Sequence, residues 1–316
     1  MTIAHSLYPE EGRPQVDHER CNGCGECTRI CPADVLELHD GRVTVRSDTH
    51  LGCIACGHCM MTCPRECLTV RGRGLDPSDL RPLSPPEEKP TAAQFEALLR
   101  SRRSVRRFAP QEVDPALLME IVEQAATAPM GIPPWDVGVT VLSGREQVQE
   151  VAAAVVEGYR GLLRIFRPWV LTALRPLLGK AKYRLFRHFI LPLAKSYSDG
   201  RAAGRDTLFW NAPAVLIFHA SPYADAVDAA IATTTAMYAA EASGLGSCII
   251  GGAPPVIERN AALCRRLGVP QGNRPVMALI LGHPAVRFRR GVQRHFTTQT
   301  TLAGNPAYHP LESTST

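Results

Sequence analysis

The sequence predicts an α+β protein, a mixed sheet sandwiched by helices and preceded by a small cysteine-rich unit. Three observations predict it. Eight of the eleven cysteines fall into two identically spaced clusters near the amino terminus. A proline-rich stretch, 73–90, follows them, and beyond it short β-rich runs are mixed with long stretches of helical periodicity. The 316 residues suffice for one large core and an extra module, since domains commonly run to roughly 100–200 residues.

Each cysteine cluster reads C-x2-C-x2-C-x3-C-P: Cys21, Cys24, Cys27 and Cys31 before Pro32, then Cys53, Cys56, Cys59 and Cys63 before Pro64. Short spacers make a loop whose first three thiolates converge on one iron-sulfur cubane, while the fourth, followed by proline, turns towards the other centre. This assigns Cys21, Cys24, Cys27 and Cys63 to a first [4Fe-4S] centre and Cys53, Cys56, Cys59 and Cys31 to a second. Zinc also takes C-x2-C pairs, but it needs four ligands per site and has no use for a third close cysteine and a trailing Cys-Pro. Gly23, Gly25 and Gly57 fit loops whose backbone closely approaches the sulfides. Cys67 aligns with the apolar Val35 of the first repeat and reads as a core residue. Residues 15–72 resemble bacterial two-cluster ferredoxins, which implies two [4Fe-4S] clusters.

Residues 73–90 contain five prolines and hardly any apolar periodicity, the composition of a semi-stiff connector. Thr91 and Gln94 then form a capping-box pattern ahead of Phe95, Leu98 and Leu99, so a helix and a second domain, 91–316, begin there. Asp114 and Pro115 read as an N-cap and first-turn proline before Leu117, Leu118, Ile121, Val122 and Ala125 at helical spacing. Strands are predicted at 137–142, 214–219 and 276–281. An alanine-rich helix over 225–243 ends at Gly244 in a left-handed cap.

SRRSVRRF, at 101–108, groups Arg102, Arg103, Arg106 and Arg107 around Ser104. By itself this is either a solvated basic surface or a phosphate site, in which guanidinium forks and a hydroxyl share the same oxygens. RRSVRRF, TAPMGIPPW (127–135), DTLFWNAPAVLIF (206–218), GLGSCIIGG (244–252) and LILGHP (279–284) occur in an order that resembles the FMN-dependent nitroreductase superfamily across nearly all of 91–296. The resemblance implies a nitroreductase-like α/β/α sandwich and a homodimer with FMN at the subunit interface. It assigns Arg102, Arg103, Ser104 and Arg106 to the flavin phosphate or ribityl chain, and Pro129, Met130 and Gly131 to a segment reaching the flavin from the partner subunit. Ile250, Gly251 and Gly252 fall near the reactive edge of the ring, and either Arg290 or Arg294 returns to the phosphate. Many relatives carry an asparagine and a glutamine in the equivalent of APMGIPPW, where this chain is shorter and has Ile132, Pro133 and Pro134. A Rossmann reading of GLGSCIIG fails, because Ile249 occupies the third glycine position and a helix, not a strand, precedes it. Cys248, Cys264, His219 and Tyr238 read as core residues, and the pattern identifies no proton donor.

Residues 158–198 hold nine cations and no carboxylate, interleaved with Leu162, Phe166, Trp169, Leu185, Phe186 and Phe189. This basic amphipathic insertion reads in three ways: a helical excursion over the active site or the other subunit, with Trp169, Phe186 and Phe189 capping the substrate pocket; a dock for an acidic redox partner; or a peripheral membrane contact. The formal charge of +5 is too small and diffuse to argue for nucleic acid. No apolar run approaches a membrane span, and no export signal opens the chain, so a cytoplasmic protein is expected.

An iron-sulfur cluster passes single electrons, whereas flavin stores one or two. The combination predicts an iron-sulfur flavoprotein oxidoreductase: a one-electron donor such as a ferredoxin loads the clusters, which reduce FMN, which reduces a small organic acceptor (a nitro compound, quinone or activated alkene). The alternatives are substrate oxidation at FMN with electrons exported through the clusters, or a non-catalytic electron-transfer subunit.

Overall fold

The computed structural model describes residues 10–49, 52–131 and 136–298. Ile132, Pro133 and Pro134 therefore lie outside the described residues.

The cysteine-rich unit is built as a repeat. Strands β1 (Arg13–Val16) and β4 (Leu68–Arg71) pair antiparallel, closing the unit end to end. Between them come α1 (Glu26–Ile30), the hairpin β2 (Leu36–His39) and β3 (Arg42–Val45), and α2 (His58–Met61). Asp40 and Gly41 turn the hairpin at positive φ, as a two-residue hairpin loop requires. Both short helices start from a glycine in the left-handed region, Gly25 at φ 72° and Gly57 at φ 74°, so the two cysteine loops have the same local shape. Leu36, Val43, Ala55, Met60, Leu68, Val70 and Leu75 form a small core of their own with Cys27 and Cys59. Thus Leu75, although inside the proline-rich stretch, packs into this first core. Two 3-10 turns, Pro77–Asp79 and Pro86–Glu88, follow, and residues 78–90 are exposed.

Beyond the connector the chain forms α3 (Ala92–Ser101), α4 (Pro115–Ala125), β5 (Val137–Ser143), α5 (Arg145–Ile165), α6 (Pro168–Ala173), α7 (Arg175–Leu185), a π-turn (Phe186–Ile190) and α8 (Leu191–Ala202). Then come β6 (Ala214–Ala220), α9 (Ala226–Ala242), β7 (Gly246–Ile250), α10 (Pro254–Glu258), α11 (Ala261–Arg266) and β8 (Arg274–Gly282). The caps form where the residue types predict. Thr91 Oγ1 accepts from the Gln94 amide at 3.3 Å and Gln94 Oε1 from the Thr91 amide at 2.8 Å. Asp114 accepts from Ala116, Asp225 from Val227, and Gly244 leaves α9 at φ 76°.

The sheet order is β5-β6-β8-β7, every pair antiparallel. Alternation along β6 sends Val215 and Ile217 into one core and Leu216 and Phe218 into the other; Ile280 and Leu279 of β8 divide the same way. A strand apolar on both faces must be covered on both. α5, α8 and α10 cover the first face and α4 and α9 the second. Ala229, Ala232, Ala236 and Ala240 line the buried side of α9, so small side chains let the helix seat closely on the sheet.

β7 was not among the predicted strands, because five residues between glycines show little periodicity. Cys248 is buried in the first core, as its core reading requires, and Tyr238 packs on the second. His219 is also buried, its Nδ1 3.0 Å from Asn273 Nδ2, and burial lowers its pKa below the ordinary imidazole value.

Candidate functional site

The eight paired cysteines open onto two hollows. Cys31, Cys53, Cys56 and Cys59 border one together with Pro14, Ile54 and Val70. Cys21, Cys24, Cys27 and Cys63 border the other, with Val16, Val43 and Leu68. Each quartet therefore takes three thiols from one loop and the fourth from the other repeat. The electrostatics divide the same way. Burial pushes the Cys59 thiol up to about 12, and its neighbours Cys53, Cys56 and Cys31 add to the shift. Burial likewise raises Cys27, with Cys63, Cys21 and Cys24 contributing. Four crowded thiolates need a positively charged body among them. Among the described residues, no three His, Cys, Asp or Glu side chains close to the spacing of a single bound ion. The donor chemistry, four soft thiolates around each hollow, fits iron-sulfur cubanes.

Cys67 is buried, as its core reading expected, and it also borders the second of these hollows. Its amide donates to Cys63 Sγ at 3.4 Å, the type of bond that tunes a cluster's potential.

The second site begins where SRRSVRRF leaves α3. The segment runs along the edge strand β7: the Val105 amide donates to the Ser247 carbonyl at 2.9 Å, and Ser104 and Ser247 pair in a parallel bridge. Ala109 donates to His283 and Ala285 to Arg107, which anchors the other end. In this extended strip Val105 is buried, while Ser104 and Arg106 face outward. Arg102, Arg103, Ser104, Arg106 and Arg294 then border one hollow of about 310 Å³ with Phe288 and Val292. Among the described residues no carboxylate pairs with these four arginines. Cations brought together without a counter-charge repel one another unless an anion joins them, which suits a phosphate dianion. The two tail arginines separate here: Arg290 borders a different cleft, with Arg287, Arg289 and the start of β7.

Arg106 also borders a much larger cavity, of about 1210 Å³. Its floor is the end of β7 with Ile249, Ile250, Gly251 and Gly252, and its far walls come from α5, the π-turn and α8. Open space surrounds the position a Gly251 side chain would take. The Ser247 hydroxyl, beside Ser104, is buried with no hydrogen-bond partner. Guanidiniums for a phosphate and a side-chain-free backbone leading into a large cavity fit a phosphorylated, flat-ringed cofactor. Pro129, Met130 and Gly131 are not part of this arrangement. Met130 packs on the core of the opposite sheet face, and the Gly131 amide donates to Asp228 Oδ1 at 3.1 Å.

Of the three aromatic residues expected over the pocket, Phe186 and Phe189 border the cavity, whereas Trp169 is 69% exposed and does not. It stands at the start of α6, which packs only Leu171 inward. Sequence reasoning missed Tyr159, Tyr197 and Trp210. Tyr159 donates to the Gly252 carbonyl at 2.7 Å, and its ring lies 5.1 Å from that of Tyr197 at 59°. Burial, with Tyr159 and Asp206 nearby, pushes Tyr197 up to about 12. Trp210 sits under Arg106 and Arg107, 5.9 and 6.0 Å from its ring. Trp210 and Asn211 both have positive φ in a turn whose amides Leu208, Phe209 and Asn211 donate to the Asp206 carboxylate. The aromatic count of 158–198 was a signal for the tyrosines, but no spacing rule joins residues 38 positions apart.

Residues 99–283 match the model of the nitroreductase family, and residues 13–64 that of a 4Fe-4S dicluster domain. A segment of 27 residues is 52% identical to Ferredoxin-2 of Desulfomicrobium norvegicum; the match spans 8% of this chain and 46%, about half, of that relative. Among solved structures, a nitroreductase with bound FMN from Bacteroides fragilis is 17% identical, covering 66% of this chain and 98% of that one at a TM-score of 0.49. A nitroreductase with bound FMN from Desulfitobacterium hafniense is 22% identical, covering 63% and 93% at 0.46. An FMN-dependent nitroreductase from Clostridium difficile is 18% identical, covering 67% and 100% at 0.47.

Proposed function

The chain belongs to the nitroreductase family of oxidoreductases, and from that premise we propose that it is an iron-sulfur flavoprotein that takes single electrons through two [4Fe-4S] clusters and reduces a small organic acceptor at FMN. Iron-sulfur clusters supply one-electron transfer, and flavin supplies the one- or two-electron exchange with an organic molecule. The observation that carries the reading is that two thiol quartets and one arginine-serine hollow leading into a large cavity occur in the same chain.

In this reading Cys21, Cys24, Cys27 and Cys63 hold one cluster and Cys53, Cys56, Cys59 and Cys31 the other. Arg102, Arg103, Ser104, Arg106 and Arg294 hold the FMN phosphate, and Arg290 does not. Ile250, Gly251 and Gly252 bring the backbone of β7 to the ring, where an N–H donor stabilises negative charge that develops on reduction. The division of labour is a cluster unit, 15–72, a connector, 73–90, and a flavin unit, 91–316. Separate apolar cores support it, the first of them reaching into the connector as far as Leu75.

The protein acts as a homodimer. Phe95 and Leu99 on α3 are exposed although the helix is amphipathic, and the tail exposes Val286, Phe288 and Val292. In this reading a second copy covers them, and Pro129, Met130 and Gly131 are the segment that reaches the flavin of the neighbouring subunit. The one-electron donor is a ferredoxin-like protein. Among the described residues no helix is long and apolar enough to cross a membrane.

Anaerobic purification with iron, sulfide and flavin quantified, followed by reduction with ferredoxin, NADH and NADPH in parallel, tests the reading. The expected result is about eight irons and about one FMN per chain, with ferredoxin the fastest donor. Zinc in place of iron, or no flavin released on boiling, would refute it.

A further inference from the structure

The basic insertion distributes its charge unevenly. Near its two ends the cations have carboxylate partners: Arg160 and Arg164 both pair with Glu157 on α5, and Lys195 pairs with Asp199 on α8. The short elements between them differ. Arg167, Lys180, Lys182 and Arg184 are exposed and, among the described residues, make no ion pair. Arg175 and Arg187 close on the Tyr183 ring instead, 5.5 and 5.9 Å from its centre, and no carboxylate occurs between 158 and 198.

The same elements expose large apolar side chains: Ile165, Trp169, Leu177, Leu185 and Phe189 are each at least half exposed. After the kink at Gly179 the inward positions are taken by Tyr183, Phe186 and Ile190, so Leu185 and Phe189 form an outer apolar set that reaches the rim of the large cavity. Each exposed apolar residue stands within two positions of an arginine, as Trp169 does to Arg167, Leu177 to Arg175 and Phe189 to Arg187. A protein interface gathers its apolar residues into a patch ringed by charge. A bilayer surface takes anchors and cations side by side, the anchors entering the boundary between headgroups and acyl chains while the cations meet lipid phosphates. None of these residues belongs to α3 or the tail, the segments that the dimer covers.

We propose that α6, α7 and the π-turn form a docking surface for an anionic lipid bilayer. Trp169, Leu177 and Phe189 are its apolar anchors, and Arg167, Lys180, Lys182 and Arg184 meet the lipid phosphates. The chain is then peripheral to the membrane, with the rim of the cavity at the bilayer surface. Neither thiol quartet nor the arginine-serine hollow borders this surface, so the proposal stands independently of the oxidoreductase reading.

The test sediments the purified holoprotein with vesicles of phosphatidylcholine alone and of phosphatidylcholine with about one-quarter phosphatidylglycerol, at about 0.1 M and about 0.5 M salt. Binding should need the anionic lipid and weaken with salt. Tryptophan emission should shift to the blue on the anionic vesicles, and Trp169→Phe should remove that shift. Lys180→Glu combined with Lys182→Glu should weaken partition at least about tenfold. Leu177→Ser, at a position 84% exposed and so tolerant of change, should weaken it about threefold to tenfold. The melting temperature of each variant checks that it folds. No partition onto the anionic vesicles, or equal partition onto both kinds, would overturn the proposal. So would partition without a blue shift that Leu177→Ser leaves unchanged, the behaviour of a purely electrostatic dock for an acidic protein. Iron and flavin content of the same samples decides the oxidoreductase reading separately.

Discussion

Removing cysteines in pairs tests whether the two quartets really exchange their fourth ligands. Cys31 borders the hollow of Cys53, Cys56 and Cys59, not that of its own loop, and Cys63 does the reverse. Cys31→Ala with Cys53→Ala therefore strips two ligands from one hollow and none from the other. Cys31→Ala with Cys24→Ala takes one from each. A [4Fe-4S] centre that loses a thiolate loses its fourth iron or falls apart, so the count of intact centres is the informative quantity. Starting from about two intact centres per chain, the first double variant should keep about one and the second about none. The assay is the spin count of the dithionite-reduced protein by low-temperature electron paramagnetic resonance, with iron and acid-labile sulfide as a check. The surviving centre of the first variant should also lose the magnetic interaction between neighbouring clusters. If each loop instead held its own centre, the ranking would invert, with the Cys24/Cys31 pair keeping one intact centre and the Cys31/Cys53 pair none; that inversion would refute the crossed assignment.

Further outcomes follow from individual residues. Arg294→Ala should weaken FMN binding to deflavinated protein roughly tenfold to hundredfold, the worth of about 1.5–3 kcal/mol for a charge-assisted bond, while Arg290→Ala should change it less than threefold; flavin fluorescence titration separates the two. Gly138→Ala would place a Cβ against the His219 ring across the β5–β6 pair, so it should cost about 1–3 kcal/mol, seen as a fall in melting temperature with flavin retained. His219 has a folded pKa below its unfolded value of about 6.5, so the unfolded chain takes up its proton first. The stability this provides is complete above about pH 6.5 and is lost as pH falls towards the folded pKa; His219→Leu should flatten that part of the melting-temperature profile, and an unchanged slope would remove His219 as its source.

What the sequence alone determined is whatever depends on short spacing. Thiols at positions three and four apart must line one loop, so both cysteine quartets were readable, and so were the Thr91 and Asp114 caps, each a bond within three residues. The arginine-serine group was readable because an extended strip sends Ser104 and Arg106 to one face. Tertiary structure decided whatever joins distant segments. Arg290 and Arg294 are equivalent on paper, and only the path of the tail past Phe288 and Val292 brings Arg294 to Ser104. Likewise the insertion's pattern could not say which of its aromatic residues meet the cavity: Phe186 and Phe189 border it and Trp169 does not. Tyr159 and Tyr197 meet over Gly252 because α5 and α8 pack side by side on the same sheet face, a proximity created by burying apolar surface rather than by any local propensity.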